Sequence, residues 1–192
     1  MKAFINKTVF LAILFVMASG ITYMAMRRWT AQPRETGKSD TLTGVRGLNE
    51  GEVVVLPELR TLDGKPVSLA KPGKGLLLCG FFSASCSGCA LDAELWKALN
   101  VESAKRGMAF YLVDIGDDPK AIERFLTSYK LEGLPVLFDP AKRIGPTFRV
   151  GLVPQYLLFS LDGKVIHRWD GIRHYDKENG ADKLTEFFRY SQ

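Results

Sequence analysis

Cys86 and Cys89 are the residues whose types and spacing could do chemistry. They enclose only Ser87 and Gly88, and they sit where an apolar run, Leu76–Phe82, gives way through the small-residue turn Ser83–Ser85 to a helical pattern. A buried strand, a Cys-x-x-Cys and a helix in that order place two thiols at a helix N-terminus. Free N–H groups and the helix dipole there favour a thiolate, and a thiolate attacks disulfides. The spacing therefore predicts thiol–disulfide exchange. Cys86, first in the helix, is the expected nucleophile. Cys89, one turn on and on the same face, is the expected resolving thiol. A structural disulfide and half of a zinc site are the other readings of such a pair; no second Cys/His pair has ligand spacing. Cys79 lies within the apolar run and reads as a small core hydrophobe.

The elements that must position these thiols follow from patterning. Val53–Leu56 is a short apolar strand candidate. Leu59–Leu62 and Pro66–Leu69 flank Asp63-Gly64, a hairpin signal. Gly75–Phe82 and Met108–Val113 read as buried strands. Between them Leu91, Leu95 and Leu99 recur on one helix face. Pro119 opens a helix with Ile122, Phe125, Leu126 and Tyr129 on one side. Val136–Phe138 is a short strand and Ile144–Phe148 a helical turn. Tyr156–Phe159 and Val165–Trp169 flank Asp162-Gly163 as a second hairpin, and Leu184, Phe187 and Phe188 mark a closing helix. This order predicts an α/β fold: parallel strands joined through helices, with an antiparallel edge.

Upstream, Lys2 and Lys7 precede an apolar run, Thr8–Met26, of about 19 residues, enough to span a bilayer core. Residues 1–28 are expected to be a membrane anchor or signal sequence, 29–51 a flexible polar linker, and 52–192 the folded domain. The chain of 192 residues is 46% hydrophobic with net charge +5, a globular balance. No basic cluster interleaved with aromatics supports nucleic-acid binding.

From about Val53 to Phe188 the chain resembles the thioredoxin superfamily, and within it the membrane-tethered TlpA/ResA-like thiol–disulfide oxidoreductases, which include cytochrome c maturation proteins. The resemblance rests on four segments in order: ELRTLDGKPVSL, LLLCGFFSASCSGC, FRVGLVPQYLLFSLDGKV, and RWDGI with its following helix. It implies a thioredoxin-like fold: a central mixed sheet, helices on both faces and an N-terminal β-hairpin extension. It also implies a cis Val153–Pro154 bond facing the thiols, with the Val153 backbone offered to an extended substrate. Four positions depart from the family pattern. Ser85 replaces a Trp, Ser87-Gly88 lacks a Pro, Glu94 stands at a helix-kinking Pro, and Gly80 replaces the buried carboxylate of thioredoxin itself.

Asp92 and Glu94 follow the motif. A solvated helix face is the plain reading for both, and either serves as a proton relay for Cys89 if it points inward. Phe82 and Ser83 are expected to line the approach to Cys86. Asp114 reads as a loop or cap residue, and Trp96 and Trp169 as packing. The resemblance implies no cofactor and no metal beyond a redox-active Cys86–Cys89 disulfide. It implies disulfide-containing exported substrates, with apocytochrome c as one candidate, and a DsbD/CcdA-like electron donor in the bacterial cytoplasmic membrane. The catalytic domain would lie on the periplasmic or extracellular side. Two alternatives share the fold: a Sco-like copper carrier using Cys86, Cys89 and His174, with His167 the other histidine, and a peroxiredoxin-like peroxidase, since Ser83 lies three residues before Cys86.

Overall fold

A computed structural model describes residues 47–70, 75–176, 178 and 180–190. The expected membrane segment and most of the expected linker lie outside the described residues. Among the described residues no helix is long and apolar enough to cross a membrane.

Seven strands form one mixed sheet: β1 Glu58–Thr61, β2 Pro66–Ser68, β3 Leu77–Phe82, β4 Ala109–Asp114, β5 Val136–Phe138, β6 Gln155–Phe159 and β7 Val165–Asp170. Their spatial order is β2-β1-β5-β4-β3-β6-β7. β3 pairs parallel with β4 and antiparallel with β6, and all six of its residues are buried. A strand covered on both faces reads as an unbroken apolar run, which is why this stretch lacks alternation. β1 and β2 form the expected hairpin, and β1 docks on β5.

The helices are α1 Ser87–Ala90, α2 Ala93–Lys105, α3 Pro119–Ser128, α4 Ile144–Phe148 and α5 Gly180–Phe188. Two apolar clusters sandwich the sheet. One joins Leu78, Phe82, Leu112, Tyr156 and Leu158 to Trp96 and Leu99 of α2, Phe125 of α3, and Phe187 of α5. The other joins Leu77, Cys79, Phe81, Leu157 and Phe159 to Ile144 and Phe148 of α4. Alternate residues of β3 thus face opposite layers, and helices cover both faces as expected.

Three expectations need correction. The helix after Cys86 is broken: α1 ends at Ala90 and α2 starts at Ala93, with Asp92 outside helical geometry (φ −96°, ψ 8°). Leu91 falls in the break and is 61% exposed, whereas Leu95 and Leu99 are buried. Val53–Leu56 is no strand; only Val53 bridges to Lys164, and Val53 and Val55 face solvent. The packed chain also begins before residue 52. Leu48 is fully buried, the Gly51 amide donates to the Val165 carbonyl at 2.8 Å, and the Val165 amide returns a bond to Glu52.

Candidate active site

β3 delivers the chain to the loop Ser83–Ser85, and that loop is pinned by short polar contacts. The Ser83 and Ser85 hydroxyls lie 2.7 Å apart. The Ala84 amide donates to Asp117 Oδ2 at 2.7 Å. Asp117 is held by Asp114 at the end of β4, whose Oδ1 accepts from the Gly116 and Asp117 amides at 2.8 and 2.7 Å. Asp114 thus ends β4 and caps the turn that follows, the cap half of the expectation, and it is fully buried. Burial, with help from neighbouring Asp117, raises its carboxyl to about 7.

Cys86 is the N-cap of α1, in extended geometry. Its sulfur accepts from the Cys89 amide at 3.2 Å and reaches the Val153 carbonyl at 3.5 Å. A sulfur held on an N-terminal amide is stabilised as an anion by that donor. The Val153–Pro154 bond is cis, and it brings the loop before β6 against Cys86. Cys86 is half-buried, whereas Cys89 has no exposed surface. Burial first, then the contact with Cys86 and the nearby Asp92 charge, pushes the Cys89 thiol far up, so it is protonated at neutral pH. All three cysteines are free thiols. Cys79 lies in the opposite layer from Cys89, fully buried, as expected for a core hydrophobe.

Asp92 and Glu94 part company. Glu94 points outward and pairs with Lys97 at 2.7 Å, so it is not near the thiols. Asp92 is fully buried, against the plain reading of a solvated face. The break between α1 and α2 is what turns it inward. Its carboxylate accepts from the Tyr156 hydroxyl at 2.6 Å and from the Arg173 amide at 3.0 and 3.2 Å. Tyr156 in turn accepts from Trp96 Nε1 at 2.8 Å. Burial raises the Asp92 carboxyl, while the Tyr156 and Arg173 bonds and the Arg173 and His174 charges restrain the rise. A line of polar groups, Trp96 to Tyr156 to Asp92, therefore runs through the core behind Cys89. A buried, hydrogen-bonded carboxylate of this kind suits proton transfer with a thiol that must lose its proton late.

Tyr156 and Arg173 were not legible as site residues. Gly80 pairs directly with Tyr156 across the sheet. A Cβ at residue 80 would lie 3.1 Å from Leu112 Cδ2 and 3.3 Å from the Tyr156 ring, so the space freed by the missing side chain is filled by those two side chains. Similarly, a Cβ at Gly88 would lie 3.2 Å from Ile172, which packs the loop after β7 onto the motif.

Other expectations fare unevenly. Phe82 does not line the approach to Cys86; it is fully buried against Trp96 and Phe125, with centroids at 5.4 and 5.5 Å. Trp96 and Trp169 pack in the core as expected. The Ser83 hydroxyl pairs with Ser85, two residues on. His167 stacks on Tyr190, 4.9 Å away, and contacts Glu50. Among the described residues no three His, Cys, Asp or Glu side chains are grouped to hold a metal, so the copper alternative gains no geometry.

Comparison with known proteins agrees with this chemistry. Residues 49–184 match the model of the Redoxin family. Thiol-disulfide oxidoreductase ResA of Bacillus cereus is 29% identical over 126 residues, which are 65% of this chain and 72% of the relative. The fold is shared with the thioredoxin domain of a thiol-disulfide oxidoreductase from Bacteroides vulgatus (TM-score 0.63, 17% identity, 76% of this chain and 99% of that one). It is shared too with a thiol:disulfide interchange protein from Bacteroides sp. (TM-score 0.60, 17% identity, 75% and 91%). The chain belongs to the Redoxin family and is a ResA-like protein disulfide oxidoreductase of thioredoxin fold.

Proposed function

We propose that Cys86 and Cys89 form the redox centre and reduce disulfides in extended segments of exported proteins. The observation that carries this reading is the pairing of one accessible and one buried thiol: Cys86 beside the Val153 carbonyl, Cys89 without exposed surface and within the influence of the Asp92 charge. The Cys86 thiolate attacks one substrate sulfur, and the substrate S–S bond breaks as the Cys86–substrate bond forms. The departing thiolate takes a proton. Cys89 then gives its proton to Asp92 and attacks Cys86; the second substrate sulfur leaves as a thiolate and takes a proton from water, and Asp92 returns its own proton to water. Two electrons and two protons leave the protein dithiol, which ends as the Cys86–Cys89 disulfide. Val153, with Pro154 fixing its geometry, offers its backbone to the substrate strand.

The Thr8–Met26 run would tether the domain on the outer face of a bacterial cytoplasmic membrane. A DsbD/CcdA-like membrane protein would return electrons, and apocytochrome c is a candidate substrate.

The test is turnover with a protein disulfide. Cys86→Ser is expected to abolish it, and Cys89→Ser to accumulate a mixed disulfide with substrate. Retained turnover in Cys86→Ser would refute the assignment. Direction is tested by the reduction potential. A value near thioredoxin's, about −270 mV, fits a reductase, whereas one near DsbA's, about −120 mV, makes the chain an oxidant.

A further inference from the structure

Beside Cys86 lies an open cavity of about 390 Å³, within the size range of ligand pockets. One wall is the motif itself, Ser85 and Cys86. The other is one face of α3: Arg124, Phe125, Ser128 and, just past the helix end, Tyr129. These recur at i, i+1, i+4 and i+5, so a single helix surface looks at the nucleophile. The Phe125 and Tyr129 rings pack together with centroids 4.8 Å apart and give the wall an apolar flank. Ser85 leaves the space open; a large ring at that position would occupy it. No acidic residue lines the cavity, and Arg124 makes no ion pair or hydrogen bond among the described residues. A guanidinium facing an acid-free hollow next to a reacting thiol is suited to a carboxylate.

Resting on the exchange reaction above, we propose that this cavity is a substrate subsite that takes an Asp or Glu side chain flanking the cysteine under attack, held by Arg124. The subsite selects which disulfides are attacked and plays no part in the electron transfer.

The experiment uses the reduced protein and the disulfide dimers of blocked short peptides that differ only in Glu or Gln beside the cysteine, on either side in turn. The Glu peptide is expected to react about fivefold faster in one of the two placements, the factor of a contact worth about 1 kcal/mol. The preference should vanish in Arg124→Gln and in Ser85→Trp, and shrink in 1 M salt. It should survive in Lys120→Gln, which removes the same charge from α3 outside the cavity. Equal rates for both peptides in the wild type would overturn the subsite and leave the exchange reaction standing. A preference that persists in Arg124→Gln would also overturn it. Failure to reduce any peptide would remove the exchange reading and the subsite together.

Discussion

Asp92→Asn isolates the polar line behind Cys89. Two effects of the change oppose each other. Removing the carboxylate charge relieves the Cys89 thiol of a like charge, one of the smaller influences holding it up. Relief of one pKa unit is worth 1.36 kcal/mol, about tenfold in thiolate fraction. The loss of a positioned base works the other way, by roughly 10²–10⁴-fold. The base dominates, so the second chemical step should slow by about 10- to 1,000-fold while attack by Cys86 is little changed. The fold should survive. Asn keeps an oxygen for the Tyr156 hydroxyl and the Arg173 amide, and burying its NH₂ without a partner costs roughly 1–3 kcal/mol. The assay is rapid mixing of reduced protein with a peptide disulfide, acid quench, and mass spectrometry of the mixed disulfide. Wild type should show little of it. The variant should accumulate it, and its decay should lose the rise with pH that accompanies ionisation of Asp92, whose carboxyl is raised by burial. A mixed disulfide that clears at the wild-type rate with an unchanged pH profile would refute the relay.

Tyr156→Phe should destabilise the fold by roughly 1–3 kcal/mol, because it leaves the Trp96 N–H unpaired in the core; urea unfolding followed by tryptophan fluorescence measures this. It should also shift the pH dependence of resolution upward, since Asp92 loses a donor that favours its charged form. Asp114 is held at about 7 in the fold, above the 3.8 of an ordinary aspartate. The folded chain therefore keeps a proton that the unfolded chain releases between those values, so this group makes stability fall as pH rises from about 4 to about 7. Asp114→Asn should flatten that slope, and an unchanged slope in denaturation midpoints across pH 4–8 would show that burial does not act on this carboxyl. Gly163 adopts φ +83°, and a Cβ there would sit 2.1 Å from the Val54 carbonyl oxygen. Gly163→Ala should cost more than about 2 kcal/mol in urea unfolding, with the exchange rate at 25 °C unaltered.

The order of elements along the chain from β1 onward, the two hairpins and the Cys86–Cys89 pair were legible because each has a local signature. The unbroken apolar run of β3 announces a doubly covered strand, and Asp63-Gly64 and Asp162-Gly163 announce turns. The inward turn of Asp92 was not legible. It depends on a helix break at Leu91 that no proline marks, so periodicity carried Leu91 into the buried face. Tyr156 was hidden for a different reason. Its partner Asp92 lies 64 residues away in sequence, and only the pairing of Gly80 with Tyr156 across the sheet makes room for the ring. Phe82 was misplaced in depth: it shares the layer of Cys89, but Trp96 and Phe125 cover it, and proximity to Cys86 in sequence says nothing about how far below the surface a side chain ends.

The segment that precedes β1 has a bearing on how the domain meets unfolded chains. Gly51, Glu52 and Val54 bond to Val165 and Gly163, so the outer rim of β7 is already occupied where the strand begins. At the opposite rim, β2 is three residues long and opens with Pro66, which has no N–H to offer. Both margins of the sheet are thus blunted against strand addition and self-association. A protein whose proposed clients are extended and incompletely folded is exposed to ladder-forming aggregation with them. Blunted margins direct such a client to the face around Cys86, where capture at the thiol is covalent and reversible.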